Sequence, residues 1–497
     1  MSRIKAIKPA AIILIVFLAA IFFYGRYKII QVEKDLTDLK LPGFSLTTIT
    51  ANISILKNST ILKGPDLHYR FSNDSLSVKA SQIALYGIHY TSLLLEGKLK
   101  ADSLVILDPD IHLLPSKDTV PISSLTESKK QPSIELGTLR LKEGQAIKIS
   151  KNSDTLFIAD PIHMELKKLV IDPESKEEYN TEEYAIQLEN LLVQPDPLNN
   201  LHLKKIQLNT NQWKITAMDL VPKYSKRNYT KYLQYQNDRI VVSIDSIVIN
   251  NPGHQHLKDR LFKAASIDIY KADMDVFRDK FIPRKDEYKK MLSAIIRDAP
   301  LATSIDSIRI HDSSVRYGEL VNSNGVIGEI LISEINLEMN PLRSRTRDTT
   351  NMVFTAKIME EGIVQGMGAF PVYAADNRFR LSIHLSNLHY HRLNAFTSPN
   401  MNVVNRGLIK DAFITLNGNE NNAKGNVLMA YKDYKVSIMD KKGVKEKKLL
   451  SAVANVIIKK ENDSGKQETF EVERNKERSF FNYLWLGIQK ALLTAMT

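Results

Sequence analysis

The sequence predicts a mainly β protein in which short antiparallel strands extend a sheet, with a transmembrane helix at the N-terminus and an amphipathic helix at the C-terminus. Three observations predict this class. Apolar and polar residues alternate with a period of two in many short runs, polar turn residues separate these runs, and helical periodicity occurs at few places. The 497 residues are 43% hydrophobic and 25% charged. This composition excludes a disordered chain and a polytopic membrane protein.

The N-terminal element is an apolar run, Ala10 to Tyr24, of fifteen residues without charge, and it follows Arg3, Lys5 and Lys8. A helix of this length spans about 22 Å, which is less than the roughly 30 Å of a bilayer core. Snorkelling of Lys8 and Arg26 supplies the difference. We interpret the run as an uncleaved anchor. A cleaved signal peptide is the alternative, since its apolar core is usually this short, and a buried soluble helix is a third.

The charges that flank this run predict its orientation. Three basic residues precede it, whereas Arg26 and Lys28 after it are soon followed by acidic residues. The positive-inside rule therefore places Met1 in the cytoplasm and the remaining chain on the other side of the membrane. We expect a single-pass protein with one large external part.

The formal net charge of +12 does not indicate a nucleic-acid partner. Five of the 68 Lys and Arg residues precede residue 31, and the rest of the chain carries 63 of them against 56 acids. Nucleic acid requires a concentrated basic patch with stacking aromatic residues, and this excess is spread thinly. The absence of cysteine excludes a disulfide scaffold, a thiol nucleophile and a Cys-ligated metal.

The external part shows alternation in successive runs and one internal repeat. Ser243 to Ile249 (SIDSIVI) recurs as Ser304 to Ile310 (SIDSIRI), and each copy is followed by a turn. The irregular spacing of weaker copies excludes a fixed-period solenoid. It indicates one strand–turn–strand unit that is reused to extend a sheet. Gly362 to Gly368 lacks the spacing of a dinucleotide fingerprint and is typical of a strand whose inner face needs small side chains.

Two helices are predicted after the N-terminal run. Residues 284–298 carry one apolar stripe on Tyr288, Met291, Leu292, Ile295 and Ile296, and Ala299-Pro300 ends it. At the C-terminus, Ser479 is a candidate N-cap for a helix with an apolar stripe on Phe481, Leu484, Trp485, Ile488, Leu492 and Ala495. This second helix is too polar to span a membrane. It either lies at a membrane interface, with Trp485 and Tyr483 at headgroup depth, or caps the open end of the β structure.

We expect no enzyme, no metal and no cofactor. The tightest histidine groups are the pairs His254/His256 and His389/His391, whereas a zinc site needs three or four ligands. Acid pairs such as Asp108/Asp110 bracket turns rather than facing each other as an acid and a base. The sequence contains no nucleophile elbow, no zincin motif and no phosphate-binding loop.

The arrangement resembles the AsmA-like family of bacterial envelope proteins, which is related to TamB and the bridge-like lipid transfer proteins. The resemblance covers nearly the whole chain. It rests on the short N-terminal anchor and on degenerate strand and glycine patterns that are quoted in chain order: Ile83 to Ile88, Leu93 to Gly97, Leu104 to Ile111, Gly407 to Phe413, Gly425 to Tyr431 and Phe480 to Trp485.

The resemblance implies an elongated, twisted antiparallel sheet that forms a groove or an open barrel with an apolar interior. It implies an inner-membrane anchor, a periplasmic bulk, and a role in guiding phospholipid during outer-membrane biogenesis. The partners would be phospholipid, the inner membrane, and outer-membrane or envelope proteins. We divide the chain into a tip and anchor (1–30), an N-terminal AsmA-like β region (31–133), a central β region ending in a helix (134–300), a C-terminal β region (301–478) and the amphipathic helix (479–497).

Candidate lipid or membrane contacts are apolar residues of two strands and of the last helix. Alternation alone does not tell which face of a strand points inward. The residues are Val353, Phe354, Ile358, Phe379, Leu381, Ile383, Leu385, Phe481, Leu484, Trp485, Ile488 and Leu492. The alternative function is a non-enzymatic envelope scaffold that assists outer-membrane protein assembly or envelope maintenance, which predicts a closed, dry core.

Overall fold

The computed structural model describes residues 38–496 except 42–43, 55, 121–132, 153, 173–174, 176–178, 322–324, 440–446 and 448–466. The predicted N-terminal anchor lies outside the described residues. Within them, every helix is either too short or too polar to cross a bilayer.

The protein is mainly β, with 65% of the described residues in strands of a twisted and open sheet. This confirms the predicted class. The chain divides into two compact units, unit 1 through Ile215 and unit 2 from Thr216.

Unit 1 is an antiparallel array in which β9 also runs parallel to β7 and β8. Its core holds fully buried leucines and isoleucines such as Leu46, Leu99, Leu104 and Ile134. A π-helical turn covers Ser92–Glu96. The strands are β1 Asp38–Leu41, β2 Phe44–Thr47, β3 Thr50–Ser54, β4 Ser59–Lys63, β5 Asp66–Lys79, β6 Gln82–Ile88, β7 Leu99–Leu107, β8 Asp110–Val120, β9 Ile134–Ile149, β10 Thr155–Ile171, β11 Tyr179–Asn180, β12 Glu183–Asp196 and β13 Asn199–Asn209, and β14 Gln212–Pro222 contains the division.

Among its described residues, unit 2 contains the remaining strands and four helices. The strands are β15 Arg239–Asn250, β16 Leu261–Asp279, β17 Ala302–Leu320, β18 Ile327–Asn340, β19 Leu342–Arg343, β20 Thr349–Ile358, β21 Gly362–Pro371, β22 Phe379–His389, β23 Val403–Gly418, β24 Asn422–Ile438 and β25 Glu468–Glu473. The helices are α1 Lys226–Tyr229, α2 Leu292–Arg297, α3 Asn394–Met401 and α4 Phe480–Met496, with 3₁₀ turns at Thr230–Tyr232, His254–Asp259 and Tyr390–Leu393.

The two copies of the repeat lie on either side of β16. The first copy is in β15, antiparallel to β16, and the second is in β17, parallel to β16. A parallel pair requires the chain to return to the starting end of the first strand. Residues 280–301 make that return.

The helix predicted for residues 284–298 is shorter than expected, because only Leu292–Arg297 is helical. Residues 283–291 before it belong to neither a helix nor a strand, and the amide of Lys289 donates to the carbonyl of Lys476 at 2.8 Å. A backbone amide used in this way is lost to a helical ladder. Met291 is buried whereas Tyr288 and Ile295 are exposed, so the predicted stripe does not face one partner.

The C-terminal helix is present as α4, and the prediction is confirmed. The amide of Asn482 donates to Oγ of Ser479 at 3.3 Å, as expected for an N-cap. Its most buried side carries Tyr483, Gly487, Ala491 and Ala495, spaced four residues apart. Small residues at these positions let the helix backbone approach the sheet closely.

Candidate functional site

One face of the unit 2 sheet is lined by aliphatic side chains in two rows that cross the strands. We call it the aliphatic face. In each row, the strand register places residues of neighbouring strands directly opposite one another. The first row contains Ile249, Ile267, Ile308, Met339, Met352, Gly368, Leu381, Leu416, Gly425 and Phe470. The second row contains Ile247, Ile269, Ile310, Leu337, Phe354, Gly366, Ile383, Ile414 and Val427. Neither row contains an ionisable side chain.

Bulges keep the aliphatic residues of long strands on this one face. Ile332, Ile335 and Met339 of β18 all pack against the same core, although an uninterrupted strand would turn Ile335 away from Ile332. Between them Glu334 has a φ of 49°, and the β18–β20 register shifts at this point. The extra residue of a bulge reverses the alternation, so the aliphatic side chains stay together.

Neighbouring strands have their bulges at matching positions. Lys271 of β16 and Asp312 of β17 have φ values of 51° and 45°, and they follow the paired residues Tyr270 and His311. A continuous line of bulges therefore crosses β16, β17 and β18. Beyond this line the register aligns further apolar residues, Val242, Met274, Val315, Ile332 and Ile358.

The two rows differ in burial along their length. From β22 to β24, Leu381, Leu416 and Ile414 are buried in a core. From β15 to β18, every residue of both rows keeps part of its surface exposed. The aliphatic face is thus closed over β22–β24 and only partly covered over β15–β18, where the first row packs against the core through Ile249, Ile267, Ile308 and Met339. We call this partly covered stretch the open part.

Charges lie on the opposite face of the same strands. Arg309 and His311 of β17 approach Oδ1 of Asp268 on β16, each at 3.4 Å. The Tyr270 and His311 rings stack with their centroids 4.6 Å apart. The sheet is therefore amphipathic through β16 and β17, as expected for antiparallel and mixed sheets with one solvated face.

The glycines of β21 make room for large side chains of β20. A Cβ at Gly366 would lie 2.2 Å from Cζ of Phe354, and a Cβ at Gly368 would lie 2.3 Å from Cε of Met352. Both glycines belong to the aliphatic face. The prediction that this strand needs small side chains on its inner face is confirmed.

Helix α4 covers the closed part of the aliphatic face. Phe379 of β22 makes edge contacts with Phe480 and Tyr483, at centroid distances of 5.2 and 5.9 Å. Between α2, α4 and β20–β22 a cavity of about 30 Å³ remains, lined by residues that include Met352, Leu381 and Leu484. A cavity of this size holds about one water. An acyl chain does not fit beneath the helix.

Of the residues predicted to contact lipid, nine lie in or beside this core. Phe379, Leu381 and Leu385 are buried. The other six are partly exposed and pack against the core. They are Phe354, Ile358, Ile383, Leu484, Ile488 and Leu492. Trp485 is also partly exposed and makes an edge contact with Phe396 of α3 at 6.0 Å.

Val353 and Phe481 lie apart from this set. Val353 is 60% exposed and pairs with Met367 on the opposite face of the sheet from Phe354. Adjacent strand residues point to opposite faces, so Val353 and Phe354 cannot line one groove. Phe481 is 72% exposed, because the buried side of α4 is centred on its small residues and not on the predicted stripe. Tyr483, expected at headgroup depth, is buried against the sheet.

The residues of the open part of the aliphatic face were not singled out from the sequence. They are the isoleucines of β15–β17 together with Leu337 and Met339 of β18. Both copies of the repeat contribute to them, with Ile247 and Ile249 in one copy and Ile308 and Ile310 in the other. The repeat was the signal that could have identified them.

The histidine pairs form no metal site in the described ranges, which contain no group of three or more potential ligands. The rings of His389 and His391 are 5.5 Å apart, but His389 pairs with Glu361. Glu361 also accepts from Arg392 at 2.8 Å. These contacts account for the pair as an ion-pair cluster at the end of β22.

Unit 1 has a concavity of a different character. Its volume is about 430 Å³, and its lining includes Arg140, His163, Glu165 and Gln187. Nε of Arg140 donates to Glu165 at 3.2 Å across two strands. The lining mixes these polar side chains with apolar ones such as Leu141, Met164 and Leu208. Comparison with known proteins finds neither a family model nor a curated sequence that matches the chain.

Proposed function

We propose that the aliphatic face of unit 2 binds phospholipid acyl chains and guides them, without catalysis, in an AsmA-like protein anchored in the inner membrane with its bulk in the periplasm. Guidance of phospholipid towards the outer membrane is the process that this arrangement would serve. The observation that carries the proposal is the pair of aliphatic rows that remains partly exposed over β15–β18.

The dimensions suit an acyl chain. A row that crosses from β15 to β20 spans four strand spacings, or about 19 Å at about 4.8 Å each. One acyl layer fills half of the roughly 30 Å hydrocarbon core of a bilayer. Each CH₂ group removed from water contributes about 0.8 kcal/mol, so contact along a row is favourable without hydrogen bonds to the lipid.

Site-specific photo-crosslinking tests this function with a matched pair of positions. A benzoylphenylalanine replaces Ile308 on the aliphatic face in one variant and Arg309 on the polar face in the other. We expect phospholipid adducts at position 308 and few at position 309, detected by mass spectrometry after irradiation of the membrane-extracted full chain. Equal yields at both positions, or no adduct at 308 where a known lipid carrier is labelled, would rule the function out.

A substitution pair gives an independent readout. Ile269→Glu places a charge in the second row, whereas Tyr270→Glu places the same charge on the polar face, where Tyr270 is 37% exposed. We expect the first variant to lose most co-purifying phospholipid and the second to retain it. Retention by both variants would contradict binding along the row.

The closed core beneath α4 favours the second candidate, an envelope scaffold that assists outer-membrane protein assembly or envelope maintenance. Exposed apolar pairs on the opposite face, Val353 with Met367 and Phe413 with Leu428, are candidate protein contacts for that function. Crosslinks from position 413 to an envelope protein, without lipid adducts at position 308, would favour the scaffold.

A further inference from the structure

Two loops of unit 2 meet at the end of β15 and β16. The first, residues 223–238, contains α1, and the second is residues 280–285. The Gln236 side chain donates to the carbonyl of Ile282 at 2.8 Å, and its amide donates to the carbonyl of Pro283 at 2.9 Å. These bonds hold the two loops together as one surface.

Three large aromatic side chains of these loops face solvent. Tyr232 is 55% exposed, Tyr235 is 49% exposed and Phe281 is 57% exposed. The Tyr232 ring stacks on Tyr224 with centroids 4.0 Å apart, so its position is fixed. The concentration of such rings on adjoining loops is unusual for a surface that meets only water.

The same surface carries a local excess of positive charge. Residues 223–238 contain Lys223, Lys226, Arg227 and Lys231 and a single acid, Asp238. The Asp238 carboxylate forms an ion pair with the Arg278 guanidinium, which donates two hydrogen bonds to it at 2.7 and 2.5 Å. Lys226 pairs with Asp275 at 3.0 Å. Within the part of the chain that the structure describes, Lys223, Arg227 and Lys231 form no ion pair.

We propose that these two loops dock on the surface of an anionic lipid bilayer, with Tyr232, Tyr235 and Phe281 inserted at headgroup depth. Amphipathic aromatic rings next to lysine and arginine are the combination that membrane interfaces favour. Cations held near an anionic surface are attracted to it, so the three unpaired cations and the rings act together. A protein partner with an acidic surface is the competing occupant.

Docking of these two loops has a consequence for lipid binding by the aliphatic face. This consequence, unlike the docking itself, rests on the proposed function. The last paired residues of β15 and β16 are Arg239 with Phe277, and the next pair, Ile240 with Val276, continues the apolar side of these strands. A bilayer at the loops therefore adjoins one end of the apolar surface. The Arg278–Asp238 ion pair follows Ile240 and Val276 on the side of the loops, so a lipid that passes between the bilayer and the apolar surface meets one charged pair.

The chain contains no cysteine, so a single introduced thiol can be labelled without any other change. The full chain is prepared as Phe281→Cys and, for the control, as Phe413→Cys, whose side chain is 47% exposed on β23. Both variants carry an environment-sensitive fluorophore. They are reconstituted in phosphatidylcholine–phosphatidylglycerol vesicles containing nitroxide lipids, and separately mixed with such vesicles added from outside.

We expect nitroxide quenching at position 281 to exceed that at position 413 severalfold in at least one arrangement. Phosphatidylcholine alone should reduce it, and so should Arg227→Glu with Lys231→Glu. High salt should also weaken it, because the Debye length falls from about 10 Å at 0.1 M to about 3 Å at 1 M. Equal quenching at both positions, or quenching indifferent to phosphatidylglycerol and to the double charge reversal, would overturn the proposal.

The quenching test at position 281 and the crosslinking test at position 308 distinguish failure of the docking surface from failure of acyl-chain binding. Loss of quenching at position 281 with intact lipid adducts at position 308 removes the docking surface and leaves acyl-chain binding. Quenching at position 281 without adducts at 308 supports membrane docking and removes acyl-chain binding along the rows.

Discussion

The guanidinium of Arg474 forms an ion pair with the carboxylate of Glu420, and the Arg474 side chain is 0% exposed. The pair joins the β23–β24 turn to the segment between β25 and α4. Arg474 also donates to the carbonyl of Lys289, in the return segment that precedes α2. Glu420 accepts from Tyr288 at 2.9 Å and from Asn377 at 2.8 Å. Four segments distant in sequence thus meet at one buried charge.

Glu420→Gln is expected to destabilise unit 2 by about 3–5 kcal/mol, because it leaves the Arg474 charge buried without its counter-charge. Asp376→Asn, in the exposed Arg378–Asp376 pair at 3.6 Å, is the control and should cost about 0–1 kcal/mol. Urea unfolding measures both. The chain has two tryptophans, so a Trp213→Phe background leaves Trp485 as the reporter of unit 2. Equal midpoints for the two variants would show that the buried pair contributes little.

Gly366→Val is expected to destabilise unit 2 by about 1–3 kcal/mol through overpacking, because Phe354 occupies the space above the glycine. Adding Phe354→Leu shortens that side chain and should recover part of the loss. A double-mutant cycle, from the same urea experiment, measures the coupling. Additive effects would mean that Phe354 and residue 366 do not contact each other.

Ala491→Glu is expected to detach α4 from the sheet, at a cost on the order of 3 kcal/mol, because Ala491 is 0% exposed and a charge there would lose its hydration. Lys490→Glu places the same side chain on the exposed side of the helix and should leave α4 docked. Limited proteolysis and the emission maximum of Trp485 distinguish the two states. Equal protection from protease in both variants would contradict the docking of α4 through its small residues.

Alkaline pH should weaken unit 2 through the buried tyrosines beneath α4. Burial raises the pKa of Tyr434 to about 12, and burial also raises the pKa values of Tyr390 and Tyr431. The unfolded chain loses these protons near pH 10, so it binds fewer protons than the folded chain between about pH 10 and 12. Stability is therefore retained below pH 10 and falls as the pH rises, by up to about 1.4 kcal/mol per pH unit per tyrosine.

Urea midpoints across this range, with phenolate absorbance as the titration signal, check the expected slope. Tyr434→Phe removes one titrating group and should make the decline shallower. It also removes the hydrogen bond of 3.1 Å to Asn405, so its stability near neutral pH serves as the reference. An unchanged slope would exclude Tyr434 as the source.

Local pattern predicted the strands and the last helix because both depend on short-range rules. Alternation of apolar and polar residues predicts a strand whatever its neighbours are, and Ser479 caps α4 through a bond within its own first turn. The helix over residues 284–298 failed as a prediction for the opposite reason. Lys289 is bonded to Lys476 and Met291 is buried in the core, and neither partner is visible in the local sequence.

The sequence predicted that apolar residues of strands form the candidate site, but it did not predict which of these residues share one face. Alternation marked Val353 to Ile358 and Phe379 to Leu385 without telling which parity faces the core. The register of β20 against β21 assigns Phe354 to the aliphatic face and Val353 to the other. The open stretch over β15–β18 depends on where α4 docks, and α4 docks with Gly487 and Ala491 most deeply buried and with Leu484, Ile488 and Leu492 of the predicted stripe beside them.

The sequence by itself determined a cysteine-free, mainly β chain with an internal repeat, a capped C-terminal helix and glycines that leave space on one strand. These properties follow from backbone preferences and side-chain periodicity within a few residues. Only the tertiary structure decided which side chains of each strand lie on the common aliphatic face, since a bulge at Glu334 reverses the alternation within one strand. It also decided which part of the aliphatic face is covered. Covering depends on packing between α4 and strands tens of residues away, where the small residues lie closest to the sheet and Leu484, Ile488 and Leu492 of the predicted stripe pack beside them.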